Sequence, residues 1–296
     1  MLPVLVEQLL ALSVGFTDKW LAGNLLAGAE YLAAVGLVAY CLAFLPALFA
    51  IPAVAATALV ARSVGAADLP AARRAAAQAL LIGGGLTAAL MALALVAGGT
   101  FLEALGLPAE SSRHAGRYLA IVMPALPAIM VIHVGVAILR GAGDMVAGLV
   151  SMSVVNLVNA ASSYALATGW GGLPALGWEG LAWGTLLGYC LGAASVAVFL
   201  ARRSRRLSPG AADWLPDAAW LRRILHVGVP AGIDAAANAV CHLGFLSIVN
   251  RLGNVDAAAH SVAITIESLA YLPGSAFQVA AATLAGQFLG ARDERR

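Results

Sequence analysis

The sequence predicts an all-α polytopic membrane protein, with a complete six-helix N-terminal lobe followed by the first two helices of a second lobe that repeats it in parallel. Three observations lead there. Of 296 residues, 61% are hydrophobic and only 11% charged, and mean hydropathy is +0.90, whereas a soluble domain has roughly 25% charged and 45–50% apolar residues. Apolar runs long enough to cross a bilayer alternate with short polar breaks. The pattern that opens the chain also returns near its end.

The apolar runs cover about 2–22, 32–61, 76–99, 118–139, 145–167, 181–201, 224–249 and 257–287, and are called spans 1 to 8. At roughly 20 residues per crossing they nearly exhaust the chain, leaving no room for a separate soluble catalytic domain. Span 1 does not read as a cleavable signal, because no basic segment precedes it and Glu7 and Asp18 interrupt it. A net charge of +2, with no basic tract beyond one linker, argues against nucleic-acid binding. Cys41, Cys190 and Cys241 all fall within apolar runs, which points to helix packing rather than to a disulfide framework or a metal site.

Basic residues in short loops stay on the cytoplasmic side. Loops after even-numbered spans, with the tail, hold Arg62, Arg73, Arg74, Arg140, four arginines between 202 and 206, Arg222, Arg223, Arg292, Arg295 and Arg296; loops after odd-numbered spans hold only Arg113, Arg117 and Arg251. This alternation predicts that both termini are cytoplasmic, in a multi-pass protein of the inner (plasma) membrane.

The repeat pairs Pro3 and Glu7 of span 1 with Pro230 and Asp234 of span 7. It also pairs Gly65-Ala66-Ala67-Asp68 after span 2 with Gly290-Ala291-Arg292-Asp293 after span 8. Six spans separate the copies, so both share one membrane orientation, as in two lobes facing each other across a central cavity. The expected domains are therefore 1–207 (the six-helix lobe), 208–223 (a cytoplasmic linker) and 224–296 (two helices of the second lobe). Four helices of a second lobe are then wanting, which predicts either a truncated chain or a partner chain that supplies them.

In order along the chain come a span 1 from Pro3 to Gly23 with Asp18 near its outer end, Leu32-Ala33-Ala34-Val35-Gly36-Leu37, Leu139-Arg140-Gly141-Ala142-Gly143-Asp144, Leu173-Pro174-Ala175-Leu176-Gly177-Trp178-Glu179-Gly180, and Ala258-Ala259-His260. With these motifs the sequence resembles the multidrug and toxic compound extrusion (MATE) family of cation-coupled efflux transporters. The resemblance covers nearly the whole chain; the departures are the four absent helices and a span 1 with almost no cytoplasmic lead.

An acidic side chain at bilayer depth costs about 2.5–3.5 kcal/mol on insertion scales, so each one calls for a reason. Glu7, Asp18, Asp234 and Glu267 are the candidates. Asp18 leads, because a carboxylate shielded from water can alternate between proton-bound and cation-bound forms. The resemblance implies the same role, since the family uses an acidic residue at this position of span 1. It also implies a pattern of Asn followed four residues later by Asp or Asn, which falls here on Asn159 and Ser163. Positions i and i+4 share a helix face, and Thr185 of span 6 could join them. With one formal charge and neutral oxygens the site suits a proton or Na+ at Asp18, and the coupling ion stays open. Asn159 and Ser163 could equally be hydrogen-bonding between packed helices.

In the second lobe Asp234 lies one turn before the family's acidic position, which is Asn238 here; with Glu267 in mid-span 8 these are candidates for a substrate cavity. His133 and His260 could titrate, but structural roles are the simpler reading. Pro46, Pro52, Pro124, Pro127 and Pro273 are expected to bend their helices.

The function expected is an antiporter that exports amphipathic, often cationic, compounds by alternating access, driven by H+ or Na+, with no cofactor. A lipid-linked sugar flippase of the same superfamily and an inactive truncated fragment are the alternatives; the flippase fits less well because few basic residues are available to a cavity. No Asp-rich metal motif, His-Glu-x-x-His or Gly-x-Ser-x-Gly is present, so an enzyme is not expected.

Overall fold

The computed structural model describes residues 2–25, 29–104, 109–203, 208–252 and 254–291. Arg205, Arg206, Arg292, Asp293, Arg295 and Arg296 lie outside them, as do the side chains of Ala33, Ala34, Gly36, Cys41, Arg251 and His260. Among the described residues the secondary structure is helical: α1 (Leu2–Leu25), α2 (Ala29–Gly65), α3 (Leu69–Ala104), α4 (Ala109–Val122), α5 (Leu126–Gly141), α6 (Val146–Thr168), α7 (Trp178–Val198), α8 (Ala218–Leu252) and α9 (Asn254–Ala291). Span 4 is thus two helices. A short 3-10 turn, Met123–Ala125, joins α4 to α5, because Pro124 and Pro127 each withhold a backbone donor and crowd the preceding turn. By contrast, α2 continues as one helix through Pro46 and Pro52.

Among the described residues six stretches are long and apolar enough to cross a bilayer: 45–65, 69–100, 112–141, 146–168, 178–202 and 218–242. α1 is not among them, since Glu7, Gln8, Asp18 and Lys19 dilute its hydropathy. These groups do not face lipid. Glu7, Val14, Asp18 and Leu21 are buried, at spacings that put them on one helix face, while Leu9, Leu12, Phe16 and Trp20 are exposed.

The Arg140-Gly141-Ala142-Gly143-Asp144 segment is the turn between α5 and α6, and each residue has a physical task. Gly143 takes a left-handed φ of +91°, and its N–H and that of Asp144 close the helix on Arg140 O and Leu139 O at 2.8 Å each. Asp144 Oδ1 accepts from Val146 N and Ala147 N at 3.2 Å, which starts α6. A Cβ on Gly141 would lie 2.8 Å from Thr57 O, so glycine lets α5 and α2 touch. Arg140 reaches back to α1, where Nη2 donates to Glu7 Oε1 at 2.6 Å. The α6 residue Gly148 leaves room for that carboxylate, because a Cβ there would collide with it. Glu7, an intramembrane acid without an assigned role in the sequence, therefore has its partner 133 residues away.

α2 is the element on which α8 and α9 sit. Gly228 and Gly232 of α8 press against Ile51, and Gly286 and Gly290 of α9 press against Ala61 and the Arg62 backbone. Each pair is spaced by four, so each forms a flat strip that brings backbones together. Gly65 of α2 meets the backbone of Gln287, whose Nε2 donates to Gly141 O at 3.1 Å. Farther along α9, Ser275 donates to Gln8 Oε1 of α1 at 2.6 Å. The segment after residue 207 is also anchored: buried Gln78 of α3 donates to Asp213 O and Leu215 O at 2.9 and 2.8 Å and accepts from Asp217 N.

Two stability predictions follow from this packing. Gly290→Ala forces α9 away from α2 and lowers the thermal unfolding midpoint of the detergent-purified chain, whereas Gly274→Ala, with open space around it, leaves it unchanged. Arg140→Met leaves a buried carboxylate unpaired and destabilises by about 3–5 kcal/mol; adding Glu7→Met recovers most of the loss, measured by denaturant unfolding.

Candidate functional site

Four expected residues meet at one point inside the six-helix lobe. Asp18 of α1 is 6% exposed; Asn159 and Ser163 of α6 and Thr185 of α7 are 0–1% exposed. Asp18 Oδ2 accepts from Thr185 Oγ1 at 2.8 Å, and Oδ1 accepts from Asn159 Nδ2 at 3.1 Å. Asn159 Nδ2 also faces Thr185 Oγ1 at 3.2 Å and Ser163 Oγ at 3.4 Å. A fifth residue was not anticipated: Tyr118 of α4 donates to Asp18 Oδ2 at 3.4 Å and lies 3.4 Å from Thr185 Oγ1. Tyr118 stands at the very start of span 4, and nothing local in the sequence marks it as a partner of Asp18.

Three donors on one carboxylate explain how an acid survives at this depth, since each hydrogen bond to a charged group contributes about 1.5–3 kcal/mol. Ser163 is the most loosely held member: its hydroxyl reaches Leu181 O at 3.4 Å. Asn159 Oδ1 is buried with no hydrogen-bond partner among the described residues.

The close approach of α6 and α7 makes the cluster possible. Gly180, Gly184, Gly188 and Gly192 recur every fourth residue along α7 and face α6 at Leu166–Ala167, Ser163, Asn159 and Val155 respectively. A Cβ on Gly184 would collide with Ser163 Oγ, and one on Gly188 would lie 3.1 Å from Asn159 Cβ. The glycine strip thus sets the distance between the α6 amide and hydroxyl and the α7 threonine. α1 is tied to the same surface by Ser13, which donates to Asn156 Oδ1 at 2.6 Å, and by Asn156 Nδ2, which donates to Leu10 O at 2.9 Å.

Beside the cluster lies a cavity of about 690 Å³. Asp18, Lys19, Tyr118 and Tyr189 line it at one end, and Glu7 and Arg140 line it about three turns of α1 away. His133 of α5 also lines it, packed 6.0 Å from the Phe49 ring. Leu272 and Ser275 of α9 close part of the wall.

The second-lobe candidates do not join this group. Asp234 and Asn238 of α8 and Glu267 of α9 are exposed and are absent from the cavity lining. Cys190 and Cys241, expected to pack between helices, are exposed as well. Among the described residues no group of three or more His, Cys, Asp or Glu side chains could hold a metal ion, so any cation here would rest on Asp18 and neutral oxygens.

Residues 3–165 and 230–296 match the MatE family. A probable multidrug resistance protein NorM of Thermotoga maritima is 27% identical over 98% of this chain and 62% of its own length; a protein of the same description from Aromatoleum aromaticum is 30% identical over 99% of this chain and 63% of its own. Among solved structures, an outward-facing multidrug resistance MATE family transporter of the MOP superfamily superposes with a TM-score of 0.87 at 24% identity, over 99% of this chain and 64% of that one. A MOP superfamily transporter from Pyrococcus furiosus superposes with a TM-score of 0.88 at 23% identity. These two show a shared fold. The chain spans about three-fifths of the length of the relatives it matches. With the family matched across most of its residues, the chain belongs to the MatE family, a family of multidrug efflux transporters rather than enzymes, and is a multi-pass membrane protein.

Proposed function

We propose that this chain provides the cation-coupling lobe of an antiporter that exports amphipathic or cationic organic compounds across the inner membrane, with both termini cytoplasmic. The observation that carries the reading is the buried Asp18 carboxylate held by donors from three other helices beside a cavity. Binding or release of a cation at a group held so changes its hydrogen bonds to α4, α6 and α7, and so can shift α1 against them. Cation occupancy is thereby converted into helix movement. In an alternating-access cycle that movement changes which side of the membrane the cavity meets.

The proton is the coupling ion that suits this geometry better. The groups around Asp18 present hydrogens to it: the Asn159 amide N–H, the Thr185 hydroxyl and the Tyr118 hydroxyl. A proton on Asp18 reverses one of those bonds without needing further ligands, whereas Na+ needs several oxygens turned inward. Sodium is the second reading. The unpartnered Asn159 Oδ1 favours it, since turning that amide end for end would place another oxygen beside the carboxylate.

Everted membrane vesicles containing the transporter test the proposal by dye efflux. Asp18→Asn abolishes gradient-driven efflux while membrane expression persists; undiminished efflux removes Asp18 from the mechanism. Efflux driven by a pH gradient in sodium-free buffer supports the proton, and a strict sodium requirement supports the second reading. Gly184→Ala leaves Asp18 in place but pushes α6 from α7, and lowers the gradient-driven rate about tenfold or more, as a displacement of about 1 Å at a preorganised site does.

A further inference from the structure

A second crevice lies where α4 and α7 begin, on the turn of α4 that precedes Tyr118. Its volume is about 250 Å³ and its walls are Arg113, His114, Arg117, Trp178 and Glu179. All five fall within the first residues of two membrane-length stretches, 112–141 and 178–202, so the crevice sits at the depth where hydrocarbon gives way to headgroups. We propose that it binds the phosphate group of an anionic phospholipid between Arg113 and Arg117, with the acyl chains lying along the exposed faces of α4 and α7.

The charge placement is the first support. On the orientation proposed above, Arg113 and Arg117 stand against the general bias of basic residues to the opposite side, and they stand together, four residues apart on one face of α4. Both are exposed. Arg117 is pinned through Nε to Glu179 Oε1 at 2.9 Å, which fixes the plane of the guanidinium and leaves its terminal nitrogens uncommitted among the described residues. Arg113 has no carboxylate against it among the described residues. Among the described residues, two arginines against one neutralising carboxylate leave the crevice net positive, the condition for a phosphodiester.

The back wall is preformed. His114 packs at 4.8 Å from the Tyr31 ring of α2 and at 4.9 Å, edge-on, from the Trp178 ring. Tyr31 and Trp178 are themselves stacked at 6.2 Å. Three rings from three helices hold the crevice open without a ligand, and Trp and Tyr at this depth suit the headgroup region.

The floor distinguishes a lipid from a free phosphate. From Arg117 the exposed face of α4 and its continuation runs on through Ala120, Pro124 and Pro127. From Glu179 the exposed face of α7 runs through Trp183, Leu187 and Leu191 at intervals of four. A small-residue strip beside a strip of large apolar side chains is a track for an acyl chain, and it leads away from the arginine pair into the hydrocarbon.

The test is native mass spectrometry of the chain equilibrated in vesicles of equal phosphatidylglycerol and phosphatidylcholine. The wild type retains phosphatidylglycerol in preference. Arg113→Gln, an exposed change that breaks no ion pair among the described residues, reduces that preference about fivefold, and Arg113→Lys keeps most of it. Arg117→Gln reduces it similarly, with the helical circular dichroism unchanged. Equal retention of the two lipids, or a preference unaltered in the Arg113→Gln/Arg117→Gln double variant, overturns the proposal. Displacement of the lipid by excess inorganic phosphate would also overturn it, by showing a site for the free anion. Dye efflux is read separately, so a failure here leaves the Asp18 reading standing and the converse holds.

Discussion

A carboxylate removed from both water and lipid is the constraint around which the lobe is arranged. At the depth of Asp18 a bare charge is costly, and the chain answers with an amide, a hydroxyl and a phenol drawn from α6, α7 and α4. The nearest of these donors in sequence is 100 residues from Asp18. They reach it only because α6 and α7 lie almost backbone to backbone, which the four glycines of α7 allow. The packing that holds the lobe together and the geometry that could hold a cation are therefore one feature.

Elsewhere the same economy of contact recurs. Membrane helices gain no hydrophobic drive against each other, so they associate through close packing and polar ties. α2 carries α8 and α9 on two glycine pairs, and polar ties among the described residues join α9 to the rest: Gln287 to Gly141 O, and Ser275 to Gln8. Glu7 and Arg140 close the far end of the cavity with an ion pair.

Much of this architecture was legible in the residue order. Hydropathy located each span, because the bilayer fixes a minimum length and excludes polar breaks, although α3, α4 and α8 begin six to nine residues before the apolar runs. It did not separate α4 from α5, since the run stays apolar through Pro124 and Pro127, and apolarity alone does not say whether a proline bends a helix or divides it; α2 passes through two prolines unbroken. At the site, Asp18, Asn159, Ser163 and Thr185 do meet. The family pattern and the i, i+4 rule could place them on facing surfaces, but Tyr118 has no local pattern and was missed. The glycine spacing from Gly180 to Gly192 was present in the sequence and is the sign that α6 and α7 touch. Long-range partners were beyond reach: nothing near Glu7 points to Arg140, and nothing near Gln78 points to the backbone of Asp213 and Leu215. The family's acidic position pointed to Asp234 and Asn238, and an acid in mid-span 8 to Glu267, as candidates for a substrate cavity; their side chains are exposed and apart from the cavity that Asp18 lines.

The central claim is that the Asp18 carboxyl itself takes up and releases the coupling cation. Infrared difference spectroscopy of the chain in lipid, between alkaline and acid buffer without sodium, reads this directly. The account predicts one carboxylic acid C=O band that appears on acidification, shifts in deuterated buffer and is missing from Asp18→Asn. A band that survives that substitution, or a wild type in which no Asp18-dependent band titrates and sodium leaves the carboxylate bands unmoved, would contradict it.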